Sequence, residues 1–169
     1  MQFFFLFVAL FVMNGLAFGA SDFPKRKSGL WEIKISNSTG KGAQALQQCI
    51  DEKTDDLTRN NMASAQKQSC SKTEMRKEGD KLVAESICKF DGSAVKTRAV
   101  FTGNFDSAYK ADIKSTYEPP LRGMRESSAV IDAKWLGSCK PGQKPGDVSI
   151  PGMPNIDMNE MRRGPSKQP

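Results

Sequence analysis

From Leu30 onward, apolar and polar residues take alternate positions, the period of a half-buried β-strand. Trp31, Ile33 and Ile35 alternate with Glu32 and Lys34, predicting a first strand that stops at Ser36-Asn37-Ser38-Thr39-Gly40. Residues 45–50 predict a second strand, which carries Cys49. Over residues 51–68 the alternation is lost and Asp, Asn, Gln, Ala and Lys dominate, predicting a short polar helix or an ordered loop. Strands return at 71–77 and 82–90, on either side of the turn sequence Glu78-Gly79-Asp80. Val95, Thr97, Ala99 and Phe101 then form one inward set, followed by a turn at 104–107. Tyr109, Ala111, Ile113, Ser115 and Tyr117 form the next, and Pro119-Pro120 is expected to end that strand because proline cannot donate to a ladder. Ser127, Ala129, Ile131, Ala133 and Trp135 form the last, ending near Gly137-Ser138-Cys139.

About seven short strands joined by tight turns predict a mainly β fold, an antiparallel meander. No connection holds a helix long enough for parallel crossovers. One apolar and one charged face predict a strongly curved sheet or small barrel with the apolar face inside and the short helical segment covering one end. Trp31, Ile33, Phe101, Ile113, Ile131 and Trp135 are the expected core, packed together in preference to lining a cavity.

The two ends of the chain break the pattern. Residues 1–20 are apolar, then small at Gly15, Ala17, Gly19 and Ala20. The run is short for a bilayer span, which takes ~20 apolar residues. It reads as a secretory signal cleaved after Gly19, giving a signal peptide over 1–19. No Lys or Arg precedes the run, so an uncleaved anchor is the alternative. Residues 20–140 then form one domain of a size that buries roughly 70% of its unfolded surface. Residues 141–169, rich in Pro and Gly and free of aromatic residues, read as a disordered tail.

All four cysteines lie beyond the leader, in a chain expected to reach an oxidising compartment, so they read as two disulfides. Cys70 and Cys88 are equidistant from Gly79, which places them across neighbouring strands and leaves Cys49 for Cys139. The competing arrangement is Cys49–Cys70 with Cys88–Cys139. No C-x-x-C spacing supports a zinc site.

The formal charge of +6 is spread along the strands rather than blocked, apart from Lys25-Arg26-Lys27 and Arg122-x-x-Arg125. It reads as a solvated sheet face, with weak attraction to anionic envelope polymers or lipid headgroups as the functional alternative. No nucleic-acid motif is present. The chain has no histidine, which removes Ser-His-Asp and Cys-His catalysis and the commonest general base. The carboxylate pairs Asp51-Glu52 and Asp55-Asp56 are sequence neighbours and read as solvent-exposed. These residues predict no enzyme and imply no cofactor. Met153, Met158 and Met161 are weak candidates for a soft metal such as Cu(I). Asn37-Ser38-Thr39 is a glycosylation acceptor in a eukaryotic secretory pathway only.

The elements Gly29-Leu30-Trp31-Glu32, Gln48-Cys49-Ile50, the cysteines flanking a hairpin, and Trp135-Leu136-Gly137-Ser138-Cys139 occur in an order that resembles the bacterial family catalogued as domain of unknown function 3617. The resemblance covers residues 28–139. It implies a structural role for the four cysteines, a core role for Trp31, and the periplasm of a Gram-negative bacterium. It brings no catalytic residue and no ligand. The chain departs from the family in its uncharged leader and in carrying Ile150-Pro151-Gly152-Met153-Pro154 late rather than after the first strand. The expectation is a non-enzymatic binding or accessory protein of the cell envelope, not an integral membrane protein. Its partner would be a small apolar ligand or an envelope protein. The alternatives are an inhibitor of an envelope-directed enzyme, acting through residues 118–125, and Cu(I) handling through the tail.

Overall fold

The computed structural model describes residues 23–38, 44–56 and 69–153, together with the backbone of Ile156–Asp157. The leader, most of the polar segment 51–68, Met158 and Met161 lie outside the described residues. The strands are β1 (Gly29–Asn37), β2 (Gln44–Ile50), β3 (Cys70–Glu78), β4 (Lys81–Phe90), β5 (Ser93–Asn104), β6 (Ala108–Leu121), β7 (Met124–Gly137), β8 (Asp147–Ser149) and β9 (Ile156–Asp157). They form one antiparallel sheet in the order β3-β4-β5-β6-β7-β1-β2-β8-β9. Its ladder does not close: β3 and β9 are edges, so the strands do not form a closed barrel.

The meander from β3 to β7 follows from its turns. Gly79-Asp80 joins β3 to β4 with Glu78 opposite Lys81 and positive φ at Gly79, the two-residue turn that matches strand twist. Asp91-Gly92 and Arg122-Gly123 carry positive φ at both central residues, as type I′ hairpins require. β1 then enters between β7 and β2, with Trp31 opposite Trp135 and Ile33 opposite Ala133. A bulge next to Leu30 leaves Leu136 as the extra residue, 43% exposed. Gly29 sits at φ +133°, and a Cβ there would run into the Gly137 carbonyl and the Trp135 indole nitrogen. That is why a glycine opens this strand.

Two expectations are corrected. Pro119-Pro120 does not end β6, which runs to Leu121. The prolines lie where the β6–β7 register shifts between Thr116 and Leu121, so no regular ladder bond is lost to them. Nor does order stop at residue 140. The Gly146 N–H donates to the Cys49 carbonyl at 2.8 Å, and β8 continues the sheet with Ser149 opposite Gln47. Pairing with an existing edge orders a segment too short and too polar to build a core of its own. Disulfides link Cys49 to Cys139, tying β2 to the end of β7, and Cys70 to Cys88 across β3 and β4.

Candidate functional site

Because cross-strand partners share a face, the register sorts the sheet into two surfaces. The predicted inward sets of β1 and β5–β7 fall on one of them. That apolar face has a filled end and a barer end.

At the filled end Trp31 is fully buried with Ile50 and Ala133, and Ile33, Tyr109 and Trp135 pack against it. Residues 23–28 cross this end of the sheet, held by both indoles. The Trp31 N–H donates to the Lys27 carbonyl at 2.8 Å, and the Trp135 N–H donates to the Ser28 carbonyl at 3.1 Å. The Lys27 ammonium lies 3.8 Å from the Trp135 ring centre. Phe23 meets Phe101 and Phe105 edge-on, and Phe105 stacks on Tyr109 at 4.6 Å.

A polar lock sits among these rings. Arg26 Nε donates to Asp55 Oδ1 at 2.8 Å, its backbone N–H donates to Asp55 Oδ2 at 3.0 Å, and Nη1 reaches Gln48 Oε1 at 3.3 Å. Both ionic side chains are buried, at 9% and 3% exposure. A helical turn at 52–56 delivers Asp55. Asp51 caps it by accepting the Thr54 N–H at 2.8 Å, and Thr54 Oγ1 accepts the Asp51 N–H at 2.9 Å. The Thr54 N–H and the Thr54 hydroxyl, each donating to Asp51 Oδ1 at 2.8 Å, hold the Asp51 carboxyl below its ordinary range. Burial pushes the Tyr109 phenol up, with the neighbouring Arg26 cation offsetting part of it. Asp55 therefore departs from the expected exposed carboxylate. Its partner lies 29 residues upstream inside a basic triplet, and neither stretch signals the other.

From Phe101, which Phe23 covers on one side, the face runs on as apolar rows in which Ala99 and Ala111 are buried while Leu82, Ile113 and Ile131 stay partly exposed. Leu82, Phe101, Ala111 and Ile131 make one cross-strand row, and Ala84, Ala99, Ile113 and Ala129 make the next. The six predicted core residues thus share a face, yet Trp31 alone among them is fully buried; Phe101, Ile113 and Ile131 remain partly exposed. A third row goes beyond the sequence expectation: Thr73, Ser86, Thr97, Ser115 and Ser127 put five hydroxyls side by side across β3–β7. Thr97 and Ser115 bond at 2.9 Å, and the Tyr117 hydroxyl bonds Ser127 at 2.7 Å just beyond.

The opposite face is charged and largely self-paired. Glu85 holds both Arg76, at 2.7 Å, and Arg98, and these bonds draw its carboxyl down to about 2. Grooves of about 330 and 420 Å³ run between its side chains, the first beside Lys96, Arg98 and Lys114, the second beside Lys34, Lys110 and Asp132. Among the described residues no His, Cys, Asp and Glu cluster fits a metal ion. Met153, in the turn after β8, is 60% exposed. The hairpin tip at 118–125 projects beyond the β5 ladder, which ends at Glu118, and its Met124 is 38% exposed. No helix among the described residues is long and apolar enough to cross a membrane.

A family model described as protein of unknown function (DUF3617) matches residues 26–139. No curated protein and no solved structure matches the chain.

Proposed function

The chain belongs to the DUF3617 family, and on that premise we propose that it is an exported, non-enzymatic binding protein of the Gram-negative periplasm. Its ligand is a small, largely apolar molecule held on the apolar face. The observation that carries this reading is the sequence of rows on that face. Two apolar rows, whose larger side chains Leu82, Phe101, Ile113 and Ile131 are partly exposed over buried alanines, are followed by a row of hydroxyls, the mix of a broad apolar surface and a few placed polar groups that small-molecule sites use. A nine-stranded open sheet curls rather than staying flat, and the strong curvature proposed here makes the apolar face the concave one. The ligand's apolar body lies against Phe101, Ile113 and Ile131, and its polar end meets Ser86 or Ser115. The absence of histidine and the pairing of the buried carboxylate with Arg26 support binding over catalysis. Two disulfides suit a periplasmic address.

Native mass spectrometry of protein purified from the periplasm tests the proposal. A co-purifying mass that disappears in Ile113→Lys, while the fold is kept, is the expected result. A clean apo mass together with no uptake of a fluorescent apolar probe would sink it. The tip at 118–125 favours a second reading, inhibition of an envelope-directed enzyme, because Leu121 pairs with Met124 to brace an exposed loop carrying Arg122 and Arg125. Lack of inhibition across lysozymes and proteases would remove it.

A further inference from the structure

We infer that β3 is a self-recognition edge, along which two copies of this chain pair antiparallel about a two-fold axis through Met75. This edge plays no part in the ligand reading, and either can fail alone. β3 bonds only β4, so its other side carries backbone groups with no partner among the described residues. The two-residue turn makes Glu78 and Lys81 a hydrogen-bonded pair, and bonding alternates from there. Thr73, Met75 and Lys77 therefore aim their N–H and C=O groups outward. The regular stretch is bounded by the register shift between Cys70 and Lys72 at one end and by Gly79 at the other, and its midpoint is Met75.

The charges then choose the partner. Along one face the edge reads Lys72, Glu74, Arg76, Glu78. Pairing about Met75 sets Lys72 against Glu78 and Glu74 against Arg76, twice over by symmetry, in the non-hydrogen-bonded positions where side chains approach most closely. The outward backbone groups of Thr73, Met75 and Lys77 meet their counterparts in the same register. Sliding the copy by two residues either way sets Glu74 or Arg76 against itself. A charged edge normally repels other strands. This one alternates in sign, and in the register about Met75 it is complementary to its own copy.

Sedimentation of the full secreted chain tests the inference. A monomer–dimer equilibrium that weakens with salt is expected. Glu74→Arg and Arg76→Glu each place like charges opposite twice and should weaken dimerisation by roughly tenfold or more. An equimolar mixture of the two should recover a heterodimer, because each reversed charge then faces an opposite charge across the axis. Arg76 also binds Glu85 within the chain, and Lys72 and Glu78 have in-chain partners in Glu74 and in Arg76 and Arg98, so Lys72→Glu mixed with Glu78→Lys repeats the test on different in-chain pairs; recovery on mixing, which loss of an in-chain pair does not give, decides it. A wild-type chain that stays monomeric to about 1 mM overturns the inference. So does a dimer indifferent to the single reversals, or reversed variants that fail to recover on mixing.

Discussion

The two ends of the apolar face belong to one sheet and have opposite characters. At one end Trp31, Trp135 and the aromatic rings fill the space, residues 23–28 are strapped across it by two indole N–H bonds, and a buried ion pair locks the strap to the turn after β2. At the other end the face carries partly exposed Ile113 and Ile131 over alanines, followed by a row of hydroxyls. The first end devotes its residues to stability, and the second is where the proposed function places recognition. Substitutions at the filled end should therefore unfold the chain, whereas those at the barer end should change binding and leave the fold in place.

The largest effect is expected from the disulfides. Replacing Cys49 and Cys139 by Ala opens a loop of separation 90 and should cost about 4–5 kcal/mol, against about 3 kcal/mol for the Cys70 and Cys88 pair with separation 18. Urea unfolding of both variants checks the order, and equal losses would erase the contrast between the ends. Asp55→Ala leaves the Arg26 charge buried and unpaired and should cost about 3–5 kcal/mol by the same measurement. Ile113→Lys, on the barer end, should lower stability by no more than about 1–2 kcal/mol while abolishing apolar-probe binding. The smallest effect belongs to the charged face. The Glu85 carboxyl is drawn down to about 2, so its contribution is present above the ordinary carboxylate range near 4.5 and is lost as pH falls from there toward 2. Acid unfolding at low salt should lose this component in Glu85→Gln, and added salt should shrink it in the wild type because the site is exposed.

The strands are legible in the sequence because alternation is a local signal: the inward sets from Val95 to Trp135 fall on one face in register. Four parts of the structure are not legible, each for a physical reason. β8 is three residues long, too short for a period to register, and is defined by the edge it joins. Pro119-Pro120 carries the signal of a strand end, yet a register shift excuses both prolines from the ladder. The Arg26–Asp55 lock depends on a crossing of distant segments that leaves no pattern in either. The hydroxyl row exists only once five strands are aligned, since each contributes a single Ser or Thr. At the candidate site, alternation thus places Thr97, Ser115 and Ser127 on the inward face, but only the register shows that they line up with one another and with Ser86 and Thr73.

The place of β1 has a consequence for how the chain reaches this state. β3 to β7 are consecutive hairpins and need only short-range contacts, whereas β1 must find β7 across most of the domain, with Trp135 bonding a carbonyl 107 residues away. Local pairing precedes such long loop closure. The meander is thus expected to form first as a template and oxidation to follow the same sequence, Cys70 meeting Cys88 within its hairpin and Cys49 meeting Cys139 once β1 and β2 have docked. The long-range disulfide is then the last to be set, and pairing Cys49 with another cysteine before β1 and β2 docked would trap the chain before its sheet was whole.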